Sequence, residues 1–107
     1  MPRPAISSDV FRAVADETRR AMLDRLREEE LPVLALAEDF DLSLPAISQH
    51  LRVLKEAGLV ADRQEGRQRM YRLTPRPLTE IFEWVSHYED FWRGRLSALR
   101  RHLKEKS

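Results

Sequence analysis

A mainly α domain (α+β by strict count) carrying a small antiparallel hairpin is the fold class this sequence predicts, and three observations predict it. Apolar residues recur at helical spacing up to Gly58 and again after Pro77. Between those positions the period changes to that of two short strands, LVADRQ and RMYRL, around the glycine-containing loop Glu65-Gly66-Arg67-Gln68. The chain has 107 residues and no internal repeat or linker, enough for one domain, 1–107, with one modest core.

Taken in order, Ser7 or Ser8 can cap a short first helix with Val10, Phe11 and Val14 inward. Asp16 is placed to cap a second helix running through Arg27, with Met22, Leu23 and Leu26 as its inner stripe. Pro32 suits the first turn of a third helix, whose apolar face is Val33, Leu34, Leu36, Ala37 and Phe40. Asp41-Leu42-Ser43 breaks the pattern. Ser43 then caps a fourth helix with Pro45 in its first turn, and Gly58 supplies the left-handed residue that stops it. After the hairpin, Pro75 and Pro77 precede a long last helix over about 78–104. Leu78, Ile81, Phe82, Val85, Trp92, Leu96, Leu99 and Leu103 form one stripe along it, widened by Trp84, Tyr88 and Phe91. About five helices with a two-stranded wing make a winged helix-turn-helix.

Several function classes are excluded or disfavoured. The absence of cysteine removes disulfides, thiolate metal sites and thiol redox switches. The start MPRPAI lacks the apolar segment of a signal peptide, and the longest apolar run, LPVLALA, is too short for a bilayer. A cytoplasmic protein with no membrane partner is expected. An enzyme is not: no glycine-rich phosphate loop or H-E-x-x-H occurs, and the acidic run Glu28, Glu29, Glu30 has no acid–base partner nearby. No cofactor is expected. The formal charge of +1 conceals an acidic 24–41 segment and a basic 52–72 segment. Local basicity is what a polyanion meets.

The stretch 42–60, LSLPAISQHLRVLKEAGLV, is the most informative. Ile47, Leu51, Leu54 and Leu59 anchor it, while Ser48, Gln49, Arg52 and Lys55 face outward. A major groove admits such a helix. Gln49 can bond adenine bidentately, Arg52 can bond guanine or a phosphate, and Ser43 and Ser48 are short donors and acceptors. The alternative for Arg52 is an i,i+4 ion pair with Glu56. His50 is expected to be packed rather than to read bases. Gly66 lets the wing tip turn so that the flanking arginines reach the DNA backbone or minor groove, the alternative being that Arg67 and Arg69 only solvate a hairpin. Tyr71 and Leu73 are read as the wing's root in the core. Phe82, Trp84, Val85, Tyr88, Phe91, Trp92 and Leu96 are more apolar surface than one small protomer can cover, which points to a second copy of the chain.

Four blocks in this order, FRAVADETRRAMLDRL, LALAEDFDLS, LPAISQHLRVLKEAGLV and RQEGRQRMYRL, resemble the ArsR/SmtB family of bacterial winged-helix repressors from about 10 to 103. The resemblance implies a homodimer built on the first and last helices, which adds Val10, Phe11 and Val14 to the interface. It also implies an inverted-repeat operator in promoter DNA. Carried over by position, the DNA-facing residues are Ser43, Leu44, Pro45, Ser48, Gln49 and Arg52 on the fourth helix and Arg63, Arg67 and Arg69 in the wing. The segment YEDFWRGRL resembles a branch with no recognised metal site. Pro32 and Leu34 stand where metal-sensing members carry a cysteine pair. His87 with Asp90 and His102 with Glu105 lack the upstream half of the other site, since 73–83 contains no histidine. No metal is expected. Two alternatives stay open: a winged-helix protein–protein interaction module, and a repressor controlled by an unidentified small-molecule effector beside Trp84, Tyr88 and Trp92.

Overall fold

The computed structural model describes residues 8–106. Among them are six α-helices and a three-stranded antiparallel sheet. Helix α1 (Ser8–Ala15) and α2 (Glu17–Leu26) are followed by a two-residue strand, β1 (Leu31–Pro32), and by α3 (Val33–Phe40) and α4 (Leu44–Glu56). The hairpin β2 (Val60–Glu65) and β3 (Gln68–Leu73) comes next, then a 3₁₀ turn (Arg76–Leu78), α5 (Thr79–Ser86) and α6 (Glu89–Lys106). Ser7, and the side chain of Ser8, lie outside the described residues, and with them the cap expected for α1.

The local signals act as their chemistry requires. Asp16 caps α2, its Oδ2 accepting from the Arg19 backbone N–H at 3.0 Å. Two arginines of α2 close the end of α1. Arg19 donates to the carbonyls of Ala13 and Arg12 at 2.9 and 3.0 Å, and Arg20 to that of Val14 at 2.8 Å. Those carbonyls have no partner within their own helix. Helix α3 ends with Asp41 left-handed at φ 52°, the Leu42 N–H reaching the Ala37 carbonyl at 3.1 Å. Helix α4 ends the same way, with Gly58 at φ 77° and Leu59 donating to Leu54 at 2.9 Å.

The core lies where α2, α3, α4 and the start of β2 converge, around Met22, Leu36, Ile47, Leu51, Leu54 and Leu59, all fully buried. Val10, Ala13 and Leu31 complete it from α1 and β1. The sheet order is β1-β3-β2, with Leu31 opposite Tyr71 and Pro32 opposite Met70.

Three expectations are corrected. The sheet has a third strand. Pro32 sits just before α3 rather than in its first turn, in extended conformation on the edge strand, where a missing N–H is harmless. The long last helix over 78–104 is broken at His87-Tyr88 into α5 and α6, so that there are six α-helices instead of about five. Helix α6 stands away from the body: every side chain from 87 to 105 is exposed. The Cα radius of gyration is accordingly 17.6 Å, against about 13 Å for a compact chain of this length.

Candidate nucleic-acid interface

Helix α4 is held by its buried side and presents the other. Ile47, Leu51, Val53 and Leu54 are buried, whereas Ser43, Leu44, Pro45, Ser48, Gln49, Arg52 and Lys55 are exposed. Ser43 caps the helix, its Oγ accepting from the Ala46 N–H at 3.3 Å. That cap and Pro45 in the first turn fix the amino end of the helix. Among the described residues Arg52 makes no ion pair with Glu56. Its guanidinium is therefore available. His50 is half-buried, its Nδ1 3.3 Å from Arg19 Nη1 and 4.0 Å from Asp16 Oδ2. An arginine only donates, so Nδ1 accepts. His50 belongs to the joint between α1, α2 and α4 and not to the reading face.

The hairpin turns through Gly66-Arg67, with Glu65 paired to Gln68 and Gly66 at φ 61°. Positive φ at the first loop position is the type II′ pattern. Arg67 sits exposed at the tip with no ion-pair partner among the described residues. The other two wing arginines are engaged. Arg63 forms a two-pronged bond with Glu30, at 3.0 and 2.7 Å, and meets Glu65 at 3.0 Å. Those bonds raise the Arg63 pKa above its usual range and hold the Glu30 carboxyl below its own. Arg69 Nη1 lies 3.0 Å from Asp62 Oδ2, while Lys55 Nζ lies 3.0 Å from the other oxygen. Burial pushes the Asp62 pKa up, but the bonds from Lys55 and Arg69 outweigh it and leave the carboxyl below its ordinary value. Tyr71 and Leu73 are partly buried against the core, as expected of the wing's root.

Sequence reading missed Lys55 as part of the wing's ion-pair chemistry and Glu30 as the anchor of Arg63. The acids and bases were legible, but their pairing across 33 residues was not.

Residues 14–63 match the helix-turn-helix domain family. The HTH-type transcriptional regulator Rv2034 of Mycobacterium tuberculosis is 49% identical over 88 residues, covering 82% of this chain and 79% of that protein. The transcriptional repressor SdpR of Bacillus subtilis is 35% identical over 81 residues, or 76% and 90%. The solved homodimeric winged helix-turn-helix DNA-binding domain of Mb0332 from Mycobacterium bovis, a possible ArsR-family transcriptional regulator, superposes with a TM-score of 0.63. It is 32% identical and covers 78% of this chain and 77% of that one. This chain belongs to the ArsR/SmtB family. It is a winged helix-turn-helix transcriptional regulator and not an enzyme.

In this ArsR/SmtB regulator the terminal helices carry the remaining predicted residues. Val10 is 2% exposed and packed inside the protomer, so the apolar face open to a partner begins at Phe11. Val14 is partly buried against the core. The Phe11 ring meets Trp84 edge-on at 5.9 Å, and Trp84 meets Tyr88 at 5.8 Å. Phe82, Val85, Trp92 and Leu96 are exposed around an open cleft of about 400 Å³ that Ser86 and Glu89 also line. Phe91 packs on Trp92 at 5.5 Å and lies under the Arg95 guanidinium at 4.4 Å. Among the described residues no three histidine, aspartate or glutamate side chains converge as metal ligands do, and no helix is long and apolar enough to cross a membrane.

Proposed function

We propose that this regulator is a homodimeric repressor that occupies an inverted-repeat operator in promoter DNA and senses no metal. One observation carries the reading: a chain with an outward recognition helix leaves a continuous apolar face uncovered on α5 and α6, with Phe82 73% and Leu96 51% exposed. Apolar surface on that scale marks an interaction site. A second copy related by a two-fold axis would bury it and place two recognition helices on one face of the particle. The related SdpR is a repressor and the related M. bovis domain is homodimeric, which supports both halves of the proposal. Pro32 and Leu34, at the positions of the family's cysteine pair, offer no metal ligand. Repression then follows from steric occlusion of the promoter.

Ser43, Leu44, Pro45, Ser48, Gln49 and Arg52 are assigned to the major groove and its flanking phosphates, and Arg67 to the backbone at the wing tip. Arg69, held by Asp62, is assigned to the backbone as well. Arg63, held by Glu30, serves as the wing's brace. The test is selection of genomic fragments, including the chain's own promoter, with the purified protein, alongside its mass in solution. Enrichment of one inverted repeat by a dimer upholds the proposal. A monomer, or no enrichment at low salt, overturns it in favour of a protein-interaction module.

The cleft beside Trp92 favours a second reading, in which a small apolar effector bound there controls the repressor. Stabilisation in a thermal-shift screen, abolished by Val85→Glu, is its test.

A further inference from the structure

We propose that Asp62 is a positioning residue for DNA: it clasps the last turn of α4 to the wing and thereby sets Lys55 and Arg69 as a fixed pair for one backbone phosphate. The inference rests on the DNA-binding reading above. Its three members come from three elements, Lys55 from α4, Asp62 from β2 and Arg69 from β3. Each oxygen of the carboxylate takes one cation at 3.0 Å. The layering shows the direction in which the site faces. The Asp62 side chain is 9% exposed, whereas those of Lys55 and Arg69 are 54% and 48% exposed. The carboxylate thus lies beneath and the cations lie on top.

An ammonium has three N–H donors and a guanidinium five, so both cations keep donors for solvent after bonding Asp62. Tyr71, directly opposite Asp62 in the sheet register and partly buried, closes the floor. Without the carboxylate the two cations would repel each other and separate. With it they converge, and a phosphate can bridge their outer donors without displacing Asp62.

A bystander acid and a positioning acid predict opposite signs. If Asp62 merely repelled DNA, Asp62→Asn would remove a negative charge and tighten binding to every sequence. If it positions the pair, the same change weakens binding although the protein becomes more positive. The full chain and this variant are titrated, over a range of salt, against a duplex recovered by the genomic selection and a scrambled duplex of equal length. The expected weakening is about tenfold on both duplexes, the scale of one charge-assisted hydrogen bond. The slope of log K against log salt should fall by about 0.9 for each phosphate that a protomer no longer neutralises. Adding Asp62→Asn to Lys55→Gln with Arg69→Gln should cost nothing further.

Asp62→Glu keeps the charge and moves it by one methylene, and it is read in the same way if Asp62→Asn melts. It too should bind more weakly, whereas a bystander would leave binding unchanged. Equal or tighter binding by both variants overturns the inference while leaving the DNA-binding reading intact. Failure of the parent chain to bind either duplex overturns both.

Discussion

At the scale of single residues, the side chains proposed to read bases, Gln49 and Arg52 on α4, can be tested apart from the arginine proposed to meet the backbone at the wing tip, Arg67. Gln49 and Arg52 face outward from α4 and have no partner among the described residues, so their donors are free for base edges. Gln49→Ala or Arg52→Ala should relax preference at one base pair and cost about 1–3 kcal/mol for each bidentate pairing removed. Competition binding against single-base operator variants measures it. Arg67→Ala at the wing tip should weaken all sequences alike and lower the salt slope by about 0.9 for each protomer on the DNA. Acid sensitivity is also a residue matter. Asp16 has its pKa lowered, first by the Arg19 backbone N–H, and Asp62 and Glu30 are lowered too. Carboxyls depressed in the folded state stabilise it above their unfolded values of about 4 and cease to do so as pH falls through the folded ones. Urea midpoints should therefore be level near neutrality and drop below about pH 4. Asp16→Asn, which can still cap α2, should flatten that acid limb.

At the scale of elements, what the sequence made legible is what chemistry settles locally. Asp16, Ser43 and Gly58 act on backbone groups within four residues, and their roles in ending or starting helices could be read directly. Strand β1 could not be, because two residues, one of them proline, become a strand only when β3 lies alongside. The break at His87-Tyr88 contains neither glycine nor proline. Gly94, the weaker-looking point, lies inside α6 with open space around it. The pairing of Arg63 with Glu30 likewise depends on tertiary approach. Helix α6 carries the prediction that belongs here. Trp92, Leu96, Leu99 and Leu103 follow one another at spacings of four, three and four, the heptad seam of a helix that packs on another. All four are exposed in the protomer. Leu96→Glu with Leu99→Glu should thus leave the body of the protomer outside α6 folded, with an unchanged urea midpoint. Sedimentation should show a monomer for this variant and the proposed dimer for the parent. A Leu51→Ala change in the core should do the reverse, costing about 2–5 kcal/mol of protomer stability.

At the scale of the whole molecule, the proposed two-fold pairing would link the terminal helices to the operator. A closed two-fold pair uses the same patch on both copies, so α5 and α6 of one protomer meet their counterparts, and each recognition helix is carried to an equivalent place across the axis. Each protomer then reads the same half-site in opposite orientation, which is why an inverted repeat is the expected target. In the proposed dimer the distance between the two reading helices would be set by the interface, and not by the DNA. It must correspond to half-site centres about one helical turn apart, roughly 34–36 Å, or a multiple of that. Inserting five base pairs at the operator's centre rotates one half-site to the far side of the duplex by about half a turn. Binding should fall to the level of a single half-site, and the slope of log K against log salt should fall roughly by half as one protomer leaves the phosphate backbone. The Leu96→Glu, Leu99→Glu variant should be indifferent to the insertion, since it already binds through one half-site at a time. If the parent chain tolerated the insertion equally well, its two recognition helices would not be rigidly joined, and α5 and α6 would have to serve some end other than setting that distance.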